Sequence, residues 1–267
     1  MTAPLLEVQD LSKRFRGLQA VDGVSFAVPR GGIVALIGPN GAGKTTTFNL
    51  IAGLIAPDSG SVRLDGVDIT GLRPDRACHA GIGRTFQLVR PFGALSVLEN
   101  VMVGALRVTA DMRAARDAAW AVLERLGLSE KAEAPAKSLT LPERKRLETA
   151  RALATRPKIL LLDEVMAGLR PTEIDQMVAA FAALTRETGV SILLTEHVMR
   201  AVMALSHHIV VLHHGQKICE GTPEQVARDP QVLQCYLGSA PQSPSPNSKS
   251  PSPLEGEGGE GGKPPRS

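Results

Sequence analysis

Short apolar runs rich in valine, isoleucine and leucine alternate along the chain with stretches of helical periodicity. Four of these runs are candidates for buried strands, at residues 33–37, 159–162, 192–194 and 209–212. Continuous apolar runs of this length, separated by helices, are typical of strands that are covered on both faces of a parallel sheet. The pattern therefore predicts an α/β fold with a mainly parallel core sheet.

Two other regions depart from this alternation. Residues 62–64 and 67–69 flank Asp65-Gly66, a dipeptide that favours a tight hairpin because both central positions adopt positive φ. Between residues 88 and 157 no segment resembles a strand, and residues 112–126 and 143–155 carry alanine, leucine, arginine and glutamate at helical spacing. We therefore expect an antiparallel β patch beside the core sheet, and a helical subdomain at 88–157 inserted between core segments 1–87 and 158–238.

The composition narrows the range of functions. The 267 residues carry a net charge of only +3, without the clustered basic stripe of a nucleic-acid binder, and the three cysteines lack metal or redox spacing. No apolar run approaches the ~20 residues that a membrane-spanning helix needs, and the N-terminus lacks the pattern of a secretory signal. Residues 239–267 are mostly proline, serine, glycine and glutamate, and are predicted to form a disordered tail. A role at a membrane would therefore require docking to other proteins.

A glycine-rich loop follows the first apolar strand. Residues 38–45 match G-x-x-x-x-G-K-[ST], the phosphate loop, and they lie between the strand at 33–37 and a predicted helix at 46–54. Such a loop points its backbone N–H groups at phosphates, and the following helix adds its positive dipole end. Lys44 is expected to neutralise the β and γ phosphates, and the Thr45 hydroxyl to bind Mg²⁺. The remaining candidate phosphate-binding residues are Gly38, Asn40, Gly41, Ala42, Gly43 and Thr46.

Two later strands also end in polar residues. The run at 159–162 ends in Asp163 and Glu164, and the run at 192–194 leads to His197. Carboxyl ends of parallel strands are where ligands bind, so Asp163 is suited to hold Mg²⁺, and Glu164 to orient or deprotonate the water that attacks the γ-phosphate. His197 could contact the γ-phosphate, although a single histidine after a strand is more often structural.

Taken together, these residues resemble ATP-binding-cassette ATPases over residues 5–238. In the terms of that family, Phe15 matches the aromatic residue that stacks on adenine, and Gly38 to Thr45 match the Walker A loop. Gln87 matches the Q-loop glutamine, Asp163 and Glu164 the Walker B pair, and His197 the switch histidine. The resemblance implies that His197 is functional, and that Gln87 joins the Mg²⁺ site to the helical subdomain. Phe15 could instead belong to the core of an early strand, and Gln87 could be a solvated loop residue.

Finer details, such as residues 83–87, 163–169 and 220–223, resemble the branched-chain amino acid importer subgroup. The resemblance implies an ATPase that uses ATP and Mg²⁺ at the inner, cytoplasmic face of a cell membrane. Its expected partners are transmembrane permease subunits, a second ABC ATPase subunit and, indirectly, an extracytoplasmic solute-binding protein, with no nucleic acid. The alternatives are a soluble ABC ATPase acting on nucleic acid or ribosomes, and a nucleotide-gated subunit with weak hydrolysis.

The sequence departs from the family at its signature segment. Where Leu-Ser-Gly-Gly-Gln is usual, residues 139–143 read Leu-Thr-Leu-Pro-Glu. Thr140 and Glu143 predict a capping box, and Pro142 suits the first turn of a helix, so the helix start is retained. Both glycines and one N–H donor are lost, and Glu143 is expected to bring negative charge toward the phosphate bound by the partner, which predicts a weakened contact with that phosphate. The Thr140 hydroxyl is the remaining candidate donor. The alternative is a well-capped helix with no ligand role. Val165 and Arg170 also replace the usual Pro and Asp after Walker B.

Overall fold

The computed structural model describes residues 3–86 and 91–237. Its strands, in chain order, are β1 (Leu6–Phe15), β2 (Leu18–Val28), β3 (Ile33–Ile37), β4 (Ser59–Leu64), β5 (Val67–Asp68), β6 (Ile82–Arg84), β7 (Ile159–Asp163), β8 (Ser191–Thr195), β9 (His208–His213) and β10 (Gln216–Gly221). Its α-helices are α1 (Lys44–Ile51), α2 (Pro74–Ala80), α3 (Val97–Ala105), α4 (Met112–Arg125), α5 (Leu141–Ala154), α6 (Pro171–Thr188), α7 (Met199–Leu205), α8 (Pro223–Val226) and α9 (Pro230–Leu237).

A six-stranded sheet forms the centre of the fold, in the order β10-β9-β3-β8-β7-β6. The pairs from β9 to β6 are parallel, and only β10 runs antiparallel, against β9. Every residue of β3, β7 and β8 is buried, as expected for strands that are covered on both faces. The four predicted strands are therefore confirmed. Because β3, β8 and β7 are neighbours, the segments that follow them share one edge of the sheet.

A second, antiparallel sheet has the order β2-β1-β4-β5. Its β4–β5 connection is the predicted Asp65-Gly66 turn, in which the φ angles of the two residues are 55° and 75°. Two consecutive positive φ angles match the turn type that suits the twist of a hairpin. The predicted antiparallel patch is thus confirmed.

Residues 91–157 contain α3, α4, α5 and two single-turn 3₁₀ helices, and this described segment has no named strand. The predicted helix at 112–126 is α4, and the one predicted at 143–155 begins two residues earlier, because Thr140 is the residue that caps it. Helix α3 packs against both α4 and α5. One hydrophobic cluster includes Leu98 and Leu147 from these helices and Leu160 from β7. Because the helices and the core sheet share this cluster, the division of the chain into a core and a separate subdomain at 88–157 stays a prediction.

Two sequence-based expectations fall outside the described residues. Gln87 and the tail at 239–267 both lie there. Within residues 3–86 and 91–237, none of the helices is long and apolar enough to cross a membrane.

Candidate nucleotide-binding site

The phosphate loop connects β3 to α1, which begins at Lys44 rather than at the predicted residue 46. Its three glycines all have positive φ angles, and each position requires glycine for its own reason. A Cβ on Gly38 would lie 2.1 Å from the carbonyl oxygen of Leu212, and one on Gly43 would lie 2.5 Å from that of Ala20. Close packing against β9 and β2 thus excludes side chains at these two positions. Gly41 has a φ of 80° and open space beside it, so its requirement for glycine is conformational.

The other loop residues divide by exposure. Asn40 and Thr45 are exposed and Thr46 is half-buried, so their polar groups are accessible to a ligand. Ala42 is buried, and its carbonyl oxygen accepts a hydrogen bond from the N–H of Gly215 at 3.1 Å. This bond ties the loop to the β9–β10 hairpin. Ala42 therefore holds the loop in place through its backbone.

Lys44 lies inside the loop. Its Nζ donates to the carbonyl oxygens of Gly38 at 2.7 Å and Pro39 at 3.0 Å, and its side chain is buried. Burial lowers the pKa of Lys44, and the carboxylates of Glu164 and Asp163 oppose that shift. The negative charges of the acidic pair thus favour the charged form of Lys44.

Asp163 is held by groups from the two strands that flank β7: Thr195 of β8, Arg84 of β6 and Thr85 directly after β6. Its Oδ1 accepts a hydrogen bond from Thr195 Oγ1 at 2.8 Å, and its Oδ2 from Arg84 Nη2 at 3.3 Å. Its backbone N–H donates to Thr85 Oγ1 at 3.1 Å. The sequence interpretation did not single out Arg84, Thr85 or Thr195 as site residues. The available signal was parallel strand pairing, because Asp163 pairs with Thr195 and Arg84 lies at the end of the next strand, β6.

Glu164 and His197 contact each other directly. The distance between Glu164 Oε1 and His197 Nε2 is 2.8 Å, although the two residues follow different strands. Glu164 has a φ of 50°, which is unusual for a residue with a side chain, and its N–H donates to the carbonyl oxygen of Thr195 at 3.0 Å. The contact places His197 at the acidic pair and argues against a purely structural role for it.

The residues present fit a magnesium ion bound together with phosphates. Thr45 and Asp163 line the same cleft of about 930 Å³, and their hydroxyl and carboxylate oxygens are the hard donors that Mg²⁺ prefers. In the described part of the chain, no group of three or more His, Cys, Asp or Glu residues is arranged to hold a metal ion. Mg²⁺ is usually bound by one or two carboxylates plus substrate phosphates, so this sparse donor set is consistent with a nucleotide-borne metal.

Phe15 ends β1 and is 41% exposed, which argues against the alternative that it belongs to the core. The Nζ of Lys13 lies 5.8 Å from the centroid of its ring. Phe15 belongs to the β1–β2 hairpin, and Ala20 of the same hairpin approaches Gly43 at the start of α1. The ring is therefore available for stacking on the hairpin that borders the phosphate loop.

The altered signature segment forms the start of α5. Glu143 Oε2 accepts a hydrogen bond from the backbone N–H of Thr140 at 2.9 Å, in agreement with the predicted cap. The same carboxylate forms an ion pair with Lys131, which offsets its negative charge. Thr140 is exposed, and Leu141 is 43% exposed. The start of α5 thus exposes a hydroxyl group and an apolar side chain, at the position where the family usually has glycines.

The fold and this site define a P-loop nucleotide-binding protein: a strand, a glycine-rich loop and a helix, with an acidic pair and a histidine after neighbouring strands. Two comparisons with protein families give the particular family. The family described as ABC transporter matches residues 21–167, and the one described as branched-chain amino acid ATP-binding cassette transporter matches residues 216–241. The chain belongs to the ATP-binding-cassette transporter family.

Curated relatives and solved structures agree. The chain is 43% identical to the high-affinity branched-chain amino acid transport ATP-binding protein BraF of Pseudomonas aeruginosa, over 90% of this chain and 100% of that protein. It is 41% identical to LivG of Escherichia coli strain K12, described in the same words, again over 90% and 100%. A nucleotide-free ATP-binding cassette from an ABC transporter matches with a TM-score of 0.81 and 32% identity, over 88% of this chain and 100% of that one. The ADP conformation of the cassette MJ1267 has the same score and identity, over 89% and 100%.

Proposed function

We propose that the chain is the ATP-binding and ATP-hydrolysing subunit of an ABC importer that powers the uptake of branched-chain amino acids or a related amino acid or amide. The substrate class rests on the relatives, which are described as branched-chain amino acid transport ATP-binding proteins. The observation that carries the ATPase assignment is the 2.8 Å contact between Glu164 and His197, beside Asp163 and within the field of Lys44.

The phosphate loop binds the nucleotide in this proposal. Backbone N–H groups of residues 40–46 surround the β and γ phosphates, and Lys44 exchanges its two carbonyl partners for phosphate oxygens. Thr45 and Asp163, with Gln87, would hold Mg²⁺, and the bound ion would neutralise phosphate charge. Phe15 stacks on the adenine ring.

Glu164 acts on the attacking water. Its carboxylate accepts a proton from the water or orients it in line with the γ-phosphate, and His197 contacts both that carboxylate and the γ-phosphate. Most of the rate enhancement then comes from positioning and from neutralising charge, since phosphoryl transfer leaves little covalent work for the protein.

The importer also requires a membrane permease. We propose that a segment of this permease docks in the cleft that Thr45 and Asp163 line. Its walls include the exposed apolar side chains of Leu54, Phe86 and Val103, from both the core and the helical segment. A permease segment seated there would respond to any change at Asp163. The protein would then be peripheral on the cytoplasmic face of the membrane, would act with an extracytoplasmic solute-binding protein indirectly, and would bind no nucleic acid. Identification of the permease that co-purifies with the chain tests this assignment.

A second ATPase subunit completes the proposed assembly. The chain presents Walker A, Glu164 and His197 for its own half-site, whereas Thr140 begins a signature segment without its glycines. We therefore assign the second subunit to a different chain with a complete signature, which would produce one strong and one weak site; two copies of this chain would have two weakened sites. Vigorous ATP turnover by the isolated chain would contradict this assignment.

The replacement Glu164→Gln tests the function in the purified transporter complex. We expect ATP binding to be retained and repeated turnover to fall by at least ~100-fold, because the amide cannot accept the proton of the attacking water. Glu187→Gln, a change of the same chemistry at an exposed position of α6, is the matched control and should leave turnover unchanged. Undiminished hydrolysis by Glu164→Gln would show that another group is the base.

A further inference from the structure

The turn that carries Glu164 has an unfavourable backbone conformation. Glu164 lies in the left-handed region with a φ of 50°, and the turn continues to Ala167, whose N–H donates to the carbonyl oxygen of Glu164 at 3.3 Å. A side-chain-bearing residue holds such a conformation only when its surroundings stabilise it. This backbone geometry sets the direction of the Cα–Cβ bond from which the Glu164 carboxylate extends. The contacts that hold the turn therefore matter for the reaction.

Lys145 supplies one such contact from the helical segment. It lies in the second turn of α5 and is only 5% exposed, and its Nζ donates to the carbonyl oxygen of Glu164 at 2.9 Å. Lysine is rarely buried without a specific partner, because desolvation of an ammonium group is unfavourable. The burial of Lys145 is thus explained by a charge-assisted hydrogen bond to the backbone of Glu164.

Glu196 supplies a second contact, from the segment that follows β8. It is 1% exposed, and its Oε1 accepts a hydrogen bond from the N–H of Met166 at 2.7 Å. Glu196 directly precedes His197, so one short segment contacts both the turn and the side chain of Glu164. Buried carboxylates are unfavourable unless they satisfy a specific donor, here the amide in the middle of the turn.

We infer that Lys145 and Glu196 are positioning residues for Glu164, which clamp the 164–167 turn so that the carboxylate faces His197. The inference rests on the proposed ATPase function. Neither side chain contacts the reacting atoms in this assignment. Since Lys145 lies five residues after Thr140 on the same helix, a displacement of the signature segment would also shift the backbone of Glu164 in the same chain.

Lys145→Met tests the first contact in the purified transporter complex, because methionine fills similar space without the ammonium group. We expect the kcat for ATP to fall by roughly 10- to 100-fold, the range that a small misplacement of a catalytic group produces, with the ATP affinity changed by less than about twofold. Lys145→Arg should restore part of the rate, since it retains a cationic donor. Arg146→Met is the matched control: Arg146 is the next residue on α5 and donates to Gln176 on the protein surface, so the rate should be unchanged.

Glu196 provides an independent pair of variants. Glu196→Gln keeps an oxygen acceptor for the Met166 N–H, whereas Glu196→Met removes it at similar length. We expect Glu196→Met to lower kcat by about 10-fold or more, by the same misplacement of Glu164, and Glu196→Gln to stay near the wild-type rate. This comparison stands even if the Lys145 variants fail to fold.

Three outcomes would overturn the inference. One is wild-type turnover in both Lys145→Met and Glu196→Met while Glu164→Gln is inactive. Another is a parallel loss of ATP affinity, melting temperature and turnover in Lys145→Met and Glu196→Met, which would indicate only structural roles. The third, full turnover by Glu164→Gln, would refute the base itself, so that failure of the proposed function is distinguishable from failure of the positioning role.

Discussion

Replacement of Lys44 by alanine tests whether the phosphate loop and the acidic pair act on one ligand. The Nζ of Lys44 is buried and bonded to the carbonyl oxygens of Gly38 and Pro39. In the nucleotide-free protein, Lys44→Ala removes two hydrogen bonds but also removes a buried charge. These effects on the free energy of unfolding have opposite signs, so we expect a small net change without nucleotide.

With nucleotide bound, no favourable effect offsets the loss of the contact between Lys44 and the phosphates. Hydrogen bonds to charged groups contribute roughly 1.5–3 kcal/mol each, so loss of the Lys44–phosphate contact is expected to weaken ATP binding about 100-fold, or ~2.7 kcal/mol. At an ATP concentration 100 times the wild-type Kd, ligand binding stabilises the folded state by ~2.7 kcal/mol. The same concentration would only equal the Kd of Lys44→Ala, and would stabilise it by ~0.4 kcal/mol.

Thermal unfolding with and without magnesium-ATP measures this difference. For a chain of this size, 1 kcal/mol corresponds to roughly 2–4 °C in Tm, so the ATP-induced shift should fall from ~5–11 °C to ~1–2 °C. Lys158→Ala is the control, because Lys158 forms a surface ion pair with Asp65 and precedes β7 at its amino end, away from the acidic pair. A full ATP shift in Lys44→Ala, or the same loss in Lys158→Ala, would refute the reasoning.

Two further predictions address the adenine contact and the buried carboxylate. Phe15→Ala should weaken ATP binding by roughly 10-fold through lost stacking without changing the affinity for inorganic triphosphate; an equal effect on both ligands, or a similar effect of Leu18→Ala on the same hairpin, would argue against stacking. Burial raises the pKa of Glu196 to about 7 from 4.5, so the folded state binds this proton more tightly than the unfolded state does. The contribution of the protonated group to the free energy of unfolding is therefore fully present below pH 4.5, and it is lost as the pH rises through 7. Denaturant unfolding should therefore show that Glu196→Gln gains stability over the wild type between those values, by on the order of 3 kcal/mol, and a pH-independent difference would contradict the shift.

The position of the site could be predicted from the sequence because parallel strands place their carboxyl ends together. Ile33–Ile37 and Ile159–Asp163 are continuous apolar runs, and each is followed directly by its polar residues. The structure brings Glu164 and His197 within 2.8 Å although they are 33 residues apart. Strand-end reasoning needs only the order of elements along the chain, so it tolerates errors of a few residues in their boundaries.

The contacts that hold Glu164 could not be predicted in this way. Lys145 lies between Arg144 and Arg146, and residue type alone does not distinguish the buried cation from its partly exposed neighbours. Its burial depends on how α5 packs against the turn after β7, a tertiary contact that helical periodicity does not contain. The ion pair between Glu143 and Lys131 is of the same kind, since it joins α5 to a short 3₁₀ helix.

That ion pair changes the interpretation of the altered signature. The sequence predicts that Glu143 brings negative charge toward a polyphosphate. In the structure its carboxylate pairs with Lys131 and accepts a hydrogen bond from the N–H of Thr140. What remains is the loss of donors: Pro142 has no N–H, and the side chain of Leu141 stands where a glycine would leave the backbone open. Repulsion is therefore the smaller effect and missing hydrogen bonds the larger. A chain built in this way would retain its own half-site and contribute weakly to that of its partner, which is why we propose a partner with a complete signature.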